Sequence, residues 1–169
     1  MKAFKETEDG IEETLQVNLI APNLLMKGFK ELLSNSTQPR IINTASGLHQ
    51  GEMNFSDIEL RDRFSGFNAY KQSKLGIILL TRIFAKEEGN IAYYAQHPGM
   101  VNTRIGRELG PIANWIFSLL GISPEKGAET LLYLSSVNSA ELTSGEFYAK
   151  KKKSKKLLMK ATTWILQHD

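Results

Sequence analysis

Two side chains able to share a proton stand one helical turn apart in Tyr70-Lys71-Gln72-Ser73-Lys74. Residues four apart on a helix lie on the same face, so this spacing sets a phenol beside an ammonium. A free phenol titrates at about pH 10 and is a poor base at neutral pH. An adjacent positive charge stabilises the phenolate and brings the group toward acid/base use. The pair is weak alone, because Tyr-x-x-x-Lys arises often by chance. Ser46 adds a hydroxyl just after the apolar run Arg40-Ile41-Ile42-Asn43-Thr44. If that run is a parallel strand, Ser46 lies at its carboxyl end, where such sheets bind ligands. There it can donate to a developing alkoxide, although a serine that only caps a turn would look the same. A third group, His97-Pro98-Gly99-Met100-Val101-Asn102-Thr103, contains Pro98-Gly99, by itself an ordinary strand terminator.

The elements that must position these groups can be read from pattern and punctuation. Thr7 or Asp9 caps a helix that starts near Ile11, with apolar residues at Ile11, Leu15, Leu19, Leu25, Phe29 and Leu32. The polar cluster 34–39 ends it, and the run Arg40–Thr44 fits a buried parallel strand. Residues 47–66 read as a long polar loop. A second helix is expected over 67–88, stopped by Gly89-Asn90. Residues 91–95 form the next strand. Pro124 opens a helix to about Ser136, residues 145–148 make a last short strand, and 157–166 a terminal helix. Helices longer than the strands they separate predict an α/β fold with a parallel sheet.

Composition narrows the function classes. The chain has 169 residues, 41% hydrophobic and 23% charged, enough for one domain with a core. It has no cysteine, so neither a disulfide framework nor a thiolate metal site is available. His49, His97 and His168 lack ligand spacing, and no metal site is expected. Met1 to Gly10 has no apolar core of a signal peptide, and residues 112–122 are too short to span a bilayer. These features place the chain in the cytoplasm, with no membrane partner expected. The net charge of +3 is local: six lysines lie between Lys150 and Lys156, leaving −3 for the rest. Basic and aromatic residues are not interleaved over a face, so no nucleic-acid partner is expected. The lysine run reads as a solvated loop, with an anionic membrane surface or an acidic partner as the lesser alternative.

In combination, these segments resemble the short-chain dehydrogenase/reductase family, and most closely its retinol-dehydrogenase-like or WW-domain-oxidoreductase-like branch. The resemblance rests on Val17-Asn18-Leu19, Asn43-Thr44-Ala45-Ser46, Tyr70 to Leu75, and His97-Pro98-Gly99 through Thr103. Ser123 to Ala128 and Ser144 to Tyr148 extend it over nearly the whole chain, in order. The long stretch between Ser46 and Tyr70 favours this branch over compact reductases.

The resemblance implies NAD or NADP as cofactor, a small and hydrophobic carbonyl or alcohol substrate, and four catalytic residues. Tyr70 would be the acid/base and Lys74 would lower its pKa and bind the nicotinamide ribose. Ser46 would hold the substrate oxygen, and Asn18 would anchor a water joining Lys74 to solvent. Pro98, Gly99 and Thr103 would contact the nicotinamide end, with residues 104–122 as a substrate lid. Asn18 has separate support: Pro22 lies four residues on and has no N–H for the Asn18 carbonyl. An interior proline costs about 3 kcal/mol, which calls for compensation.

One part of the family pattern has no counterpart. No Gly-x-x-x-Gly-x-Gly turn occurs, and with it go the helix N-terminus that receives the pyrophosphate and the residue that chooses between NAD and NADP. The expected fold is therefore the C-terminal half of a Rossmann-type sheet, residues 1–169 forming a single partial domain that starts partway through. An oxidoreductase is the first functional expectation. The alternative is an inactive remnant or interaction module that self-associates or pairs with a missing N-terminal half.

Overall fold

In a computed structural model of the chain, residues 3–87, 89–101 and 121–154 are described. The expected terminal helix, Thr103 and almost all of the expected lid lie outside them.

The first helical region is not one regular helix. It runs as α1 (Glu13–Leu15), a π-turn over Gln16–Ile20, α2 (Ala21–Gly28) and α3 (Lys30–Ser34). Its cap is neither Thr7 nor Asp9 but Glu12, whose carboxylate accepts the Leu15 N–H at 2.8 Å. The proline effect also takes another form. The chain widens to i+5 bonding ahead of Pro22, and Ala21 N–H bonds Gln16 O. Pro22 then sits in the first turn of α2, where a missing N–H costs little. Single π-turns of this kind gather at functional sites.

Strand β1 (Arg40–Thr44) follows, then the irregular stretch containing Ser46, then α4 (Gly66–Lys86). Strand β2 (Ala92–His97) begins one residue later than expected and runs two residues further, so Gln96 and His97 belong to it. Helix α5 (Pro124–Ser136) has Ser123 as its cap, and a 3-10 turn spans Ser139–Glu141. Strands β3 (Phe147–Ala149) and β4 (Lys152–Lys153) complete a sheet ordered β1-β2-β3-β4. The β1–β2 and β2–β3 pairs are parallel, whereas β4 is antiparallel to β3. The sheet is therefore mixed and not purely parallel. The lysine run is correspondingly no simple loop. Lys150 and Lys151 take φ of 51° and 60°, the left-handed pair that a tight two-residue hairpin demands. Lys151 pairs with Glu129 and Lys153 with Glu146.

The period of two along β2 divides the core. Tyr93 and Ala95 face α4 and pack with Ile77, Ile78, Phe84 and Met26. Tyr94 faces α5 and packs with Leu134 and Tyr148. Among the described residues β1 has a strand neighbour on one side only.

Candidate active site

The backbone brings α4, the π-turn and the carboxyl ends of β1 and β2 to one place. Gly76 makes the helix contact close: a Cβ there would meet Leu19 Cδ2 at 2.8 Å. Leu19 therefore lies flat on α4, and its neighbour Asn18 reaches Ser73, donating from Nδ2 to Oγ at 3.2 Å. Ser73 is fully buried and donates in turn to the Tyr70 carbonyl at 2.9 Å. Asn18 is thus tied to the turn of α4 that runs from Tyr70 to Lys74.

Lys74 joins that helix to the sheet. Its Nζ donates to the Thr44 carbonyl, the last of β1, at 3.1 Å, and stands 5.8 Å from the centre of the Tyr70 ring. Burial holds the Lys74 ammonium below the ordinary lysine value. No carboxylate pairs with it among the described residues. Among the described residues the Thr44 carbonyl engages one of its three N–H donors.

Ser46 lies two residues past β1 and is buried. Its Oγ accepts the Leu48 N–H at 3.1 Å, which leaves the hydroxyl proton to donate elsewhere. The flanking backbone is held by two imidazoles: His49 Nδ1 bonds the Ser46 carbonyl, and Gly47 N–H donates to His97 Nδ1 at 3.1 Å. Burial pushes both imidazoles below the ordinary histidine value, and for His97 the nearby His49 adds to the effect. The sequence assigns neither histidine a role; the place of His97 directly before Pro98-Gly99 is the available signal.

Beyond β2, Gly99 takes φ of +92°, a conformation open to glycine at little cost. Val101 then pairs with Ile122 in a short parallel bridge, and Ile122 N–H bonds the Met100 carbonyl at 2.9 Å. Pro98 and Gly99 are thereby held at the end of β2, beside the end of β1. The loop before α4 is anchored by Gln72, which accepts from Asn54 N–H and donates to the Ile58 carbonyl. The structure thus ties Asn18, Ser73, Tyr70 and Lys74 to one helix contact, with Lys74 reaching the Thr44 carbonyl two residues before Ser46.

This arrangement can hold a hydroxylated ligand by Lys74, offer a proton at Tyr70 and offer a hydrogen bond at Ser46. Among the described residues no group of three or more metal-binding side chains converges, and no helix is long and apolar enough to cross a membrane.

Comparison with known proteins identifies the family and the fold. The profile of the short chain dehydrogenase family matches residues 1–112. Retinol dehydrogenase 14 of Homo sapiens is 33% identical over 154 residues, covering 86% of this chain and 46% of that protein. Polyprenol dehydrogenase of Homo sapiens is 29% identical over 166 residues, covering 90% and 50%. Among solved structures, the NADPH-bound carbonyl reductase from chicken fatty liver aligns with a TM-score of 0.55 at 24% identity, over 88% of this chain and 60% of that one. Thermoplasma acidophilum aldohexose dehydrogenase aligns at 0.63 and 16%, over 89% and 62%. At those identities the structures establish the fold alone. The chain spans about half the length of the curated relatives it matches.

Proposed function

Because the chain belongs to the short chain dehydrogenase family, we propose that it carries the proton-transfer half of an NAD(P)-dependent carbonyl/alcohol oxidoreductase. The observation that carries this reading is the reach of Lys74 from α4 to Thr44 O at the end of β1. That bond fixes the Tyr70–Lys74 face of α4 beside the strand end that carries Ser46.

Only part of a dinucleotide fits the residues present. Lys74, desolvated at the end of β1, suits ribose hydroxyls, and Tyr70, Pro98 and Gly99 complete that end. Thr103, outside the described residues, belongs to the same proposed set. For the pyrophosphate and adenosine the chain offers no glycine-rich turn. When bound, the cofactor supplies or accepts hydride. The chain's own residues do the rest. Ser46 donates its free O–H to the substrate oxygen. Tyr70 exchanges a proton with that oxygen, with the Lys74 ammonium 5.8 Å from its ring centre. Asn18, held in the π-turn, anchors a water that links Lys74 to solvent.

A hydrophobic substrate accords with two relatives being named for retinol and polyprenol, and with Ile112, Trp115, Ile116, Leu119 and Leu120 in the sequence of the proposed lid. In this reading residues 1–169 are a partial domain, complete only with a nucleotide-binding portion. The test is to fuse the chain behind the amino-terminal portion of human retinol dehydrogenase 14 and assay NAD(P)H-dependent reduction of apolar aldehydes. Tyr70→Phe should abolish turnover and leave cofactor affinity within a few-fold; undiminished turnover contradicts the assignment.

A second reading, an interaction module without activity, is favoured by Val17, Leu24, Leu25 and Leu32, all more than half exposed on the first helical region. It predicts a fusion that folds, binds cofactor and still fails to turn over.

A further inference from the structure

The 46–48 turn is held by two histidines, and hydrogen-bond polarity gives them different tautomers. His49 Nδ1 faces a carbonyl, that of Ser46, and so must carry a proton. His97 Nδ1 faces the N–H of Gly47 and so must be bare, with its proton on Nε2. The second contact is tight: a Cβ on residue 47 would lie 3.0 Å from His97 Nε2. His97 is the last residue of β2, fixed by its register with Ala149 of β3. His49 is buried with its ring edge-on to Phe147 at 4.9 Å.

A second proton therefore affects the two rings differently. On His49 it adds to Nε2 and leaves the Ser46 carbonyl bond in place. On His97 it adds to Nδ1 and sets donor against donor at Gly47. We propose that His97 is a positioning residue for the Ser46 hydroxyl, holding the 46–48 turn through its bare Nδ1 and releasing it when that nitrogen is protonated. Its functional meaning rests on the reading of Ser46 as the substrate-oxygen donor; the turn and its release do not.

The charged groups around His97 leave its titration to its own site. His49 approaches from the loop after β1, and Lys74 of α4 sits on the Thr44 carbonyl. Past Ala149 come Lys150 and Lys151, the latter neutralised by Glu129 of α5. Of these, His49 is the one whose charge acts on His97, and it acts with burial to favour the neutral ring. The turn is consequently closed at neutral pH and opens in acid, below the ordinary histidine value of about 6.5.

The test uses the 169-residue chain and nitrogen-15 NMR from pH 7.5 to 5. Imidazole shifts report the tautomers, and solvent exchange at the amides of Gly47 and Leu48 reports the turn. Leu48 reads the hydroxyl itself, because its N–H bonds Ser46 Oγ. His97 should be the Nε2–H tautomer at neutral pH. As it titrates, exchange corrected for intrinsic pH dependence should rise on the order of tenfold at both amides, the loss of about one hydrogen bond. His97→Asn places a non-titrating oxygen where Nδ1 stands and should keep both amides protected throughout; His97→Phe should leave both unprotected at every pH. Exchange that follows His49, or a change at Gly47 with none at Leu48, would overturn the proposal. So would a Nδ1–H tautomer at neutral pH. The wild-type titration decides even if a variant fails to fold. No readout involves cofactor or turnover, so failure of the oxidoreductase reading leaves this test intact.

Discussion

Replacing Gly76 by alanine sets two opposed effects of similar size against each other at the contact that places Asn18. In an exposed helix interior the change would add about 1 kcal/mol of stability through backbone entropy. Here the new methyl would stand 2.8 Å from Leu19 Cδ2 and 2.9 Å from Cδ1, with Cγ at 3.4 Å. Rotating Leu19 cannot withdraw both methyls, because that side chain packs against the main core cluster. Overpacking of this kind costs about 1–3 kcal/mol. If the π-turn moves away in response, the Asn18–Ser73 bond goes too, at about 1 kcal/mol. Steric cost should therefore win, with a net loss of about 1–2 kcal/mol. Gly28, at the end of α2, is the control: a Cβ there meets nothing within 4 Å, so alanine should add about 0.5–1 kcal/mol. In urea denaturation at neutral pH the two variants should differ by about 2 kcal/mol, from the same opposed terms. A Gly76→Ala protein as stable as Gly28→Ala would refute the close contact and the placement of Asn18 built on it.

Thr81→Val should cost about 1–3 kcal/mol in the same assay, because it strands the one N–H of the buried Asn43 amide that donates to Thr81 Oγ1 at 2.9 Å, the other going to Met26 Sδ at 3.2 Å; Thr81→Ser should lose less. Both His49 and His97 are held below the ordinary histidine value. Their stabilising neutral forms are complete above about pH 6.5 and lost as pH falls through the folded values. The thermal midpoint should drop in that window, and His49→Phe should make the drop shallower; an unchanged slope would assign it to other groups. Lys74→Met removes a charge that the fold desolvates, a cost present at neutral pH and relieved only in alkali, so its midpoint should hold or rise even as cofactor affinity of the fusion falls. The unfused chain should bind NAD or NADP very weakly by calorimetry and reduce no aldehyde, and micromolar binding would contradict the half-site account.

Much of this was legible in the sequence, for reasons that differ by element. The helix expected with Pro124 near its start and an end at about Ser136 is α5, because Pro124 behind the Ser123 cap is a local start signal that tertiary packing does not override. The α4 boundaries moved by one or two residues, as frayed ends do. The π-turn was not legible: Pro22 showed that bonding to Asn18 must fail, but whether the chain kinks or widens depends on the packing of Leu19 against Gly76. Strand β2 outruns the length that Pro98 suggests because pairing with β1 carries it to Gln96 and pairing with β3 carries it to His97. Strand β4 was hidden because consecutive lysines have no hairpin signature, and the left-handed turn at Lys150 and Lys151 is set by pairing with β3. In the candidate site, type and spacing single out Tyr70, Lys74 and Ser46. They do not single out the histidines that hold Ser46, since their role arises from backbone bonds across separate strands.

The central claim is that this chain carries the nicotinamide end of the site and no adenosine end. Amide NMR of the isolated 169-residue chain, titrated separately with reduced nicotinamide mononucleotide and with adenosine monophosphate, tests it most directly. The account predicts that the nicotinamide compound at millimolar concentration shifts the amides of Ser46, Tyr70, Lys74 and Gly99, that Lys74→Met removes those shifts, and that the adenosine compound leaves the same amides unmoved. Equal shifts from both compounds, or nicotinamide shifts confined to residues away from α4 and the ends of β1 and β2, would contradict it.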